Sequence, residues 1–208
     1  MMPPSLFDYP DEVLTRRHAP RGYVRPEAYK AWLRDEFRFR CVYCLERETW
    51  YPDRAASFSI EHIRPLAVAP ALALEYGNLA YACTRCNSAK QHLELLNPTE
   101  AIFAEHVRLG QNGLLIGVTD AGRRLINTLR LNVPPALEER RKYLLLLAMW
   151  QDRPTDERLA KLCAPLFGYP HDMPDLRALR PPGGNANPGS EDTCYFARAE
   201  RGELPATY

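Results

Sequence analysis

The sequence predicts an α+β protein that is mainly helical, and three observations predict it. Two Cys-x2-Cys pairs, Cys41-Val42-Tyr43-Cys44 and Cys83-Thr84-Arg85-Cys86, bracket 38 residues. Within that interval the run FSIEHI reads as a short strand. On either side of it, apolar positions recur at the 3.6-residue spacing of helices that bury one face.

Residues 1–25 are rich in Pro, Arg and Asp and carry little periodicity, so they predict an irregular N-terminal arm. Residues 26–96 predict the core. Pro26 opens a helix over 26–40, with proline at its first position. Tyr29, Leu33 and Phe37 form its apolar stripe, flanked by Trp32 and Glu36. The strand follows over 58–63, and Pro65 ends it because proline has no N–H to give a ladder. After a loop, Asn78-Leu79-Ala80-Tyr81-Ala82 leads into the second cysteine pair. That pair opens a helix, TRCNSAKQHLELL, which Asn97-Pro98 breaks.

Residues 97–170 predict a hairpin followed by a helical C-terminal extension. In HVRLGQNGLLIGVT, Asn112-Gly113 is the favoured pair for a type I′ turn between two apolar runs. Thr119 or Asp120 caps a helix running towards Leu131, Pro134-Pro135 starts another ending near Asp152, and residues 156–166 make a third. The helix with Leu144, Leu145, Leu146, Leu147 and Trp150 is apolar on more than one face, which fits burial in the protein's own core or docking on a partner. Residues 171–208 predict a Pro/Gly-rich tail with PPGGNANPGS as its linker; the Cys194-Tyr195-Phe196 segment beyond it either docks or stays free. There is no internal repeat.

The formal net charge of the 208 residues is +1, so global charge does not announce a polyanion binder. Locally, nine Lys or Arg against four acids between Arg16 and Arg47 leave +5. Such a stretch can bind phosphate, although a solvated face of mixed charge is the plainer reading. The opening MMPPSLFDYP lacks a basic n-region and an apolar h-region, and no run of about 18 apolar residues exists. A cytoplasmic setting with no membrane contact is the expectation. In a reducing compartment six cysteines point to metal binding or catalysis rather than disulfides.

Two intervening residues let both thiolates of a Cys-x2-Cys pair face one ion, and two such turns complete a tetrahedron. Cys41, Cys44, Cys83 and Cys86 therefore predict a closed, structural zinc site that clips together the ends of the segment between them. Cys163 and Cys194 have no such pattern and read as plain buried or tail thiols. Inside the clip stands Ser59-Ile60-Glu61-His62-Ile63-Arg64-Pro65, and Asn87 follows the last cysteine. A neutral imidazole takes a proton near neutral pH, so His62 is a candidate general base. Glu61 and Asn87 offer oxygen donors suited to a hard divalent ion, Mg²⁺ or Mn²⁺. On a regular strand Glu61 and His62 point to opposite faces, so a bulge or the strand end must bring both to one site. His92, five residues after Asn87, reads as a surface residue or a phosphate contact; Tyr43, Trp50 and Tyr51 read as packing around the knuckle.

The order Cys-x2-Cys, acid-His-Ile-x-Pro, Asn-Leu, Cys-x2-Cys-Asn-x2-Lys over about residues 41–90 resembles the HNH endonucleases, which have the ββα-metal fold. The resemblance implies an HNH core stapled by zinc and a metal-dependent endonuclease acting on DNA, usually double-stranded, leaving a 5′-phosphate and a 3′-hydroxyl. It implies that His62 is the base, that Glu61 and Asn87 hold the catalytic ion, and that Asn78 fixes the loop that orients the base. Lys90 resembles the family's lysine and, with Arg64 and Arg85, is a candidate nucleic-acid contact. Most relatives have Asp where this chain has Glu61, a displacement of the carboxylate by about one bond, roughly 1.5 Å. Residues 119–123, 129–132 and the Arg140-Arg141 helix resemble the extension of one HNH subgroup. That subgroup is encoded beside an ATPase, as in Septu-type anti-phage defence, which implies an ATPase partner. The competing readings are a catalytically weak zinc-knuckle module that binds nucleic acid, and an adaptor.

Overall fold

In the computed structural model of the chain, residues 6–208 are described; the first five residues of the predicted arm lie outside them. The elements that position the site are two antiparallel strands and a helix. Strand β1 (Phe58–His62) pairs with β2 (Leu79–Cys83), with Phe58 opposite Cys83 and His62 opposite Leu79. Helix α2 (Thr84–Lys90) follows β2 without a linker and packs on both strands. Phe58 stacks on Tyr81 across the sheet, ring centroids 4.9 Å apart. Ahead of this unit, Pro26–Tyr29 form one 3₁₀ turn and α1 (Lys30–Glu36) continues it. Tyr29, Trp32 and Leu33 are buried, as the stripe predicts. The helix stops at Glu36 rather than at residue 40, because Arg38 and Phe39 turn the chain at φ 53° and 57° to bring Cys41 back towards β2.

Helix α2 is also shorter than predicted. It ends at Lys90, and Gln91 breaks it at φ 50°, ψ −119°. The residues to Asn97 are not helical. Beyond them, α3 (Phe103–His106) precedes a second two-stranded sheet, β3 (Val107–Leu109) with β4 (Leu115–Gly117). Asn112 and Gly113 both adopt positive φ in the connecting turn, which the Asn-Gly pair supplies at low cost. Thr119 caps α4 (Asp120–Thr128) by accepting from the Gly122 N–H at 3.1 Å. Gly122 is needed there, since a Cβ would stand 1.9 Å from the His106 carbonyl oxygen. Helix α5 (Pro134–Asp152) begins and ends where the sequence predicts. In α6 (Glu157–Phe167), Asp156 caps the first turn through the Arg158 and Leu159 N–H groups. The apolar stretch of α5 is spent mostly inside: Tyr143 stacks on Trp50 at 3.8 Å and Leu147 is buried, while Leu145 and Met149 remain exposed.

The Pro/Gly-rich tail docks. It ends in α7 (Tyr195–Glu200), and it meets the N-terminal arm on α1 through a buried polar cluster. The Asp35 carboxylate accepts from the Tyr195 N–H at 2.6 Å, pairs with Arg17 at 2.8 Å and lies 2.8 Å from His18 Nε2. His18 Nδ1 lies 3.0 Å from Ser190 Oγ, and Glu36 accepts from the Arg17 and His18 N–H groups. Asp35 and His18 are both 0% exposed. One carboxylate thus joins the arm, α1 and the tail.

The basic stretch is largely consumed in the same way. Arg16 donates to the Gly77 and Leu79 carbonyls, Lys30 to that of Phe58, and Arg47 to those of Phe167 and Tyr208. Arg34 pairs with Glu48 and Asp172, and Arg40 lies over the Tyr208 ring. Arg21, Arg25 and Arg38 stay exposed. The local +5 is therefore mostly an internal scaffold, not a phosphate-binding face.

Asp35→Ala leaves His18 and the Tyr195 N–H buried without their acceptor, so it should destabilise the protein by about 3–5 kcal/mol in urea unfolding. Arg21→Ala, on an exposed side chain, should change stability by less than about 0.5 kcal/mol in the same titration.

Candidate active site

The four sulfurs converge. Cys41 and Cys44 lie on a turn closed by the Leu45 N–H on the Cys41 carbonyl at 3.0 Å, with Leu45 at φ 60°. The Val42 N–H donates to the Tyr81 carbonyl at 2.9 Å, which ties this turn to β2. Cys83 ends β2 and Cys86 sits in the first turn of α2. The four Sγ atoms all lie within 4.8 Å of one another, Cys44 Sγ and Cys83 Sγ are 3.8 Å apart, and every one of the four residues is buried. A tetrahedron with Zn–S of about 2.3 Å has edges of about 3.8 Å. The donor set therefore fits a four-coordinate zinc, and the separation is too long for a disulfide. Hydrogen bonding among the four sulfurs favours the thiolate at Cys83 and holds it below the usual thiol range, while burial pushes Cys44 up. Arg85 stands beside the cluster with its guanidinium on Glu46 Oε1 at 2.5 Å, and Tyr51 donates to the other oxygen of Glu46. Predicted as a nucleic-acid contact, Arg85 is thus engaged at the edge of the cysteine cluster.

A cleft of about 310 Å³ opens next to the clip, lined by Glu61, His62, Pro65, Leu66, Ala67, Asn87, Gln91 and His92. At about 30 Å³ per water it has room for an ion with its hydration shell. No bulge brings Glu61 and His62 to it. Their pairing with Ala80 and Leu79 is regular, and the cleft wraps the end of the strand where the chain turns into Ile63 and Arg64.

His62 Nε2 lies 3.1 Å from the Ala73 carbonyl oxygen. A carbonyl only accepts, so Nε2 carries the proton and Nδ1 of the neutral ring is the basic atom. Asn78 holds the loop that presents this carbonyl. Its Oδ1 accepts from the Arg64 N–H at 2.8 Å, and its Nδ2 donates to the Arg64 and Leu72 carbonyls at 3.1 and 3.3 Å. Both ends of the loop are thereby fixed by one buried amide.

Asn87 Nδ2 donates to Ser59 Oγ at 2.7 Å and to the Ile60 carbonyl at 3.0 Å, which leaves Oδ1 as the atom it can offer a cation. Glu61 Oε1 accepts from Lys90 Nζ at 2.6 Å, whereas Oε2 is buried without a hydrogen-bond partner. Burial pushes the Glu61 carboxyl up to about 7, with the Lys90 ammonium pulling it back. A buried carboxylate oxygen without a partner, on a residue that lines the cleft, and a spare amide oxygen are the donors a hard divalent ion takes, so the residues fit such an ion.

The structure brings His62, Glu61 and Asn87 to one cleft and places Asn78 behind it. Lys90 is not on the surface: it is fully buried and donates to Glu61 and to the His62 carbonyl. Arg64 is exposed beside the cleft and 3.5 Å from Glu94. His92 and Gln91 were not among the predicted site residues, because a longer α2 would have carried them away from Asn87. The break at Gln91 returns both to the cleft rim, and nothing in the sequence there marks a helix end.

Residues 41–93, about a quarter of the chain, match the family model described as HNH endonuclease. The match spans both cysteine pairs, β1, β2 and α2 and stops at the cleft rim. No curated protein and no solved structure matches the chain. Among the described residues no helix is long and apolar enough to cross a membrane.

Elemental analysis should find one zinc per chain, and Cys83→Ala should lose both the zinc and the cooperative thermal transition, since metal binding and folding are coupled at such sites. Gln91 occupies backbone space that favours glycine, so Gln91→Gly should raise stability by about 1 kcal/mol in urea unfolding.

Proposed function

We propose, from a segment that is of the HNH endonuclease type, that this chain is a metal-dependent endonuclease hydrolysing phosphodiester bonds of DNA. One observation carries the reading: an imidazole with a fixed tautomer and two oxygen donors border a single cleft beside the cysteine clip. In this reading Nδ1 of His62 takes the proton of the attacking water, and the Ala73 carbonyl holds the ring at Nε2 while it does so. Asn78 keeps that carbonyl in place by bonding both ends of its loop. Glu61 Oε2 and Asn87 Oδ1 hold Mg²⁺ or Mn²⁺, which when bound supplies Lewis-acid stabilisation of the charge developing on phosphate. The cysteine clip has no open coordination position and serves the fold alone.

The resemblance of residues 119–141 to the extension of a defence-associated subgroup supports a narrower reading, an effector that works with an ATPase in anti-phage defence. Co-purification of a large ATPase from the native host, and its gene lying beside this one, are the observations that test it. The second reading, a zinc-knuckle module that binds nucleic acid without cutting it, is favoured by glutamate standing where most HNH enzymes have aspartate.

The two separate in a plasmid-cleavage assay with Mg²⁺ or Mn²⁺, run with and without a chelator and, where one is found, with the partner. Metal-dependent cutting is expected. His62→Ala should lower it by about 10²–10⁴-fold while zinc content and melting temperature stay unchanged. Cutting at the parental rate by a folded His62→Ala protein would falsify the assignment of the base.

A further inference from the structure

Lys90 is the residue of the site to which the proposed reaction gives no task. A lysine on the last turn of a short helix ordinarily runs out to water. This one is 0% exposed, its Nζ 2.6 Å from Glu61 Oε1 and 2.9 Å from the His62 carbonyl oxygen. Stability does not account for such a pair, because removing two charges from water costs about what their attraction returns, and a neutral pair of the same shape serves as well. The geometric effect is specific. One ammonium ties the carboxylate of Glu61 and the main chain of His62 to α2, the helix that also carries Asn87. Since Oε1 is taken, Oε2 is the oxygen left over, shielded from water and without a partner. With Oε1 anchored, the extra methylene of a glutamate adds little freedom to where Oε2 can lie.

We propose that Lys90 is a positioning residue of the catalytic centre: it holds Glu61 by one oxygen so that the carboxylate offers the other, singly, to the divalent ion, and it does not contact nucleic acid. This rests on the nuclease reading above. Lys90 acts through Glu61, so the two substitutions are coupled, and its ammonium, with no exposed surface, neutralises no phosphate.

The test is Mn²⁺ binding to zinc-loaded protein, followed by the loss of the free-ion resonance in electron paramagnetic resonance, alongside duplex-DNA binding without added divalent ion. Lys90→Met should weaken Mn²⁺ binding by about 10–100-fold, the usual consequence of losing a group that orients a ligand. It should leave the DNA affinity and its salt dependence unchanged, whereas loss of a phosphate contact would reduce the salt slope by about one. Because Lys90→Met leaves a buried carboxylate unpaired, the same comparison is made in a Glu61→Gln background, where both charges are gone. There Lys90→Met should change Mn²⁺ affinity less than about twofold. Unchanged Mn²⁺ binding in Lys90→Met, a further loss in the Glu61→Gln background, or a reduced DNA salt slope each overturns the proposal while leaving the nuclease reading standing. A parental protein that binds no Mn²⁺ beyond its zinc overturns both.

Discussion

Four sulfurs within 4.8 Å of one another, all buried, cannot ionise together without a cation between them. Two unit charges 4 Å apart repel by about 4 kcal/mol at an effective dielectric of 20, and a tetrahedron has six such edges. To sit there as four thiolates they need such a cation, and its consequences would run straight into the cleft. Cys83 ends β2 and Cys86 lies in the first turn of α2, so an ion held by both would fix the angle at which the helix leaves the strand. Asn87 is the next residue and Lys90 lies about one turn further. Where these two side chains meet β1 would then follow from sulfur coordination, which is how a closed site could govern the neighbouring cleft.

A second constraint closes the molecule from outside. Asp35 and Glu36 are buried on α1, and their partners include Arg17 and His18 on the N-terminal arm and Tyr195 in the tail. None of this was legible in the sequence. Periodicity marked the apolar stripe of α1, but a carboxylate on a helix reads as solvent-facing until its partner is known, and here the partners are up to 160 residues away. The same holds for the basic stretch, whose local excess reads as surface because the carbonyl acceptors that bury it are remote in sequence. Elements set by local chemistry were legible: the bounds of α5, a cap at Thr119 or Asp120, the Asn112-Gly113 turn and strand β1, whereas β2 carried no strand signal of its own.

The candidate site divides along the same line. Spacing exposed the cysteine cluster, because Cys-x2-Cys is itself the local geometry of a ligand pair. The acid-His pair and Asn87 stood out from their order within the clip, and the structure sets them on one cleft. Spacing could not show which ring nitrogen of His62 is basic, since that depends on a carbonyl eleven residues on. Nor could it show that α2 stops at Lys90, because a glutamine at φ 50° carries no signature of a helix end. That break sets His92, which the sequence leaves as a surface residue or a phosphate contact, on the cleft rim.

The distribution of charge then limits how such a cleft can engage a polyanion. Several positive groups of the chain are already committed: Lys90 to Glu61, Arg85 to Glu46 and Arg16 to two carbonyls, and Arg64 lies beside Glu94. With a formal net charge of +1, long-range attraction to phosphate is weak, and counterion release supplies little affinity. On the nuclease reading, the hold on the scissile phosphate would come from short-range contacts, chiefly an ion held by Glu61 and Asn87. The exposed arginines Arg108 on β3, Arg123 and Arg124 on α4 and Arg130 in the turn after it are set on other elements and outside the matched domain. On the same reading, chemistry and delivery would be separated in this chain: the clip and cleft would define where a bond is cut, and exposed arginines beyond residue 93 would help to bring the strand to it.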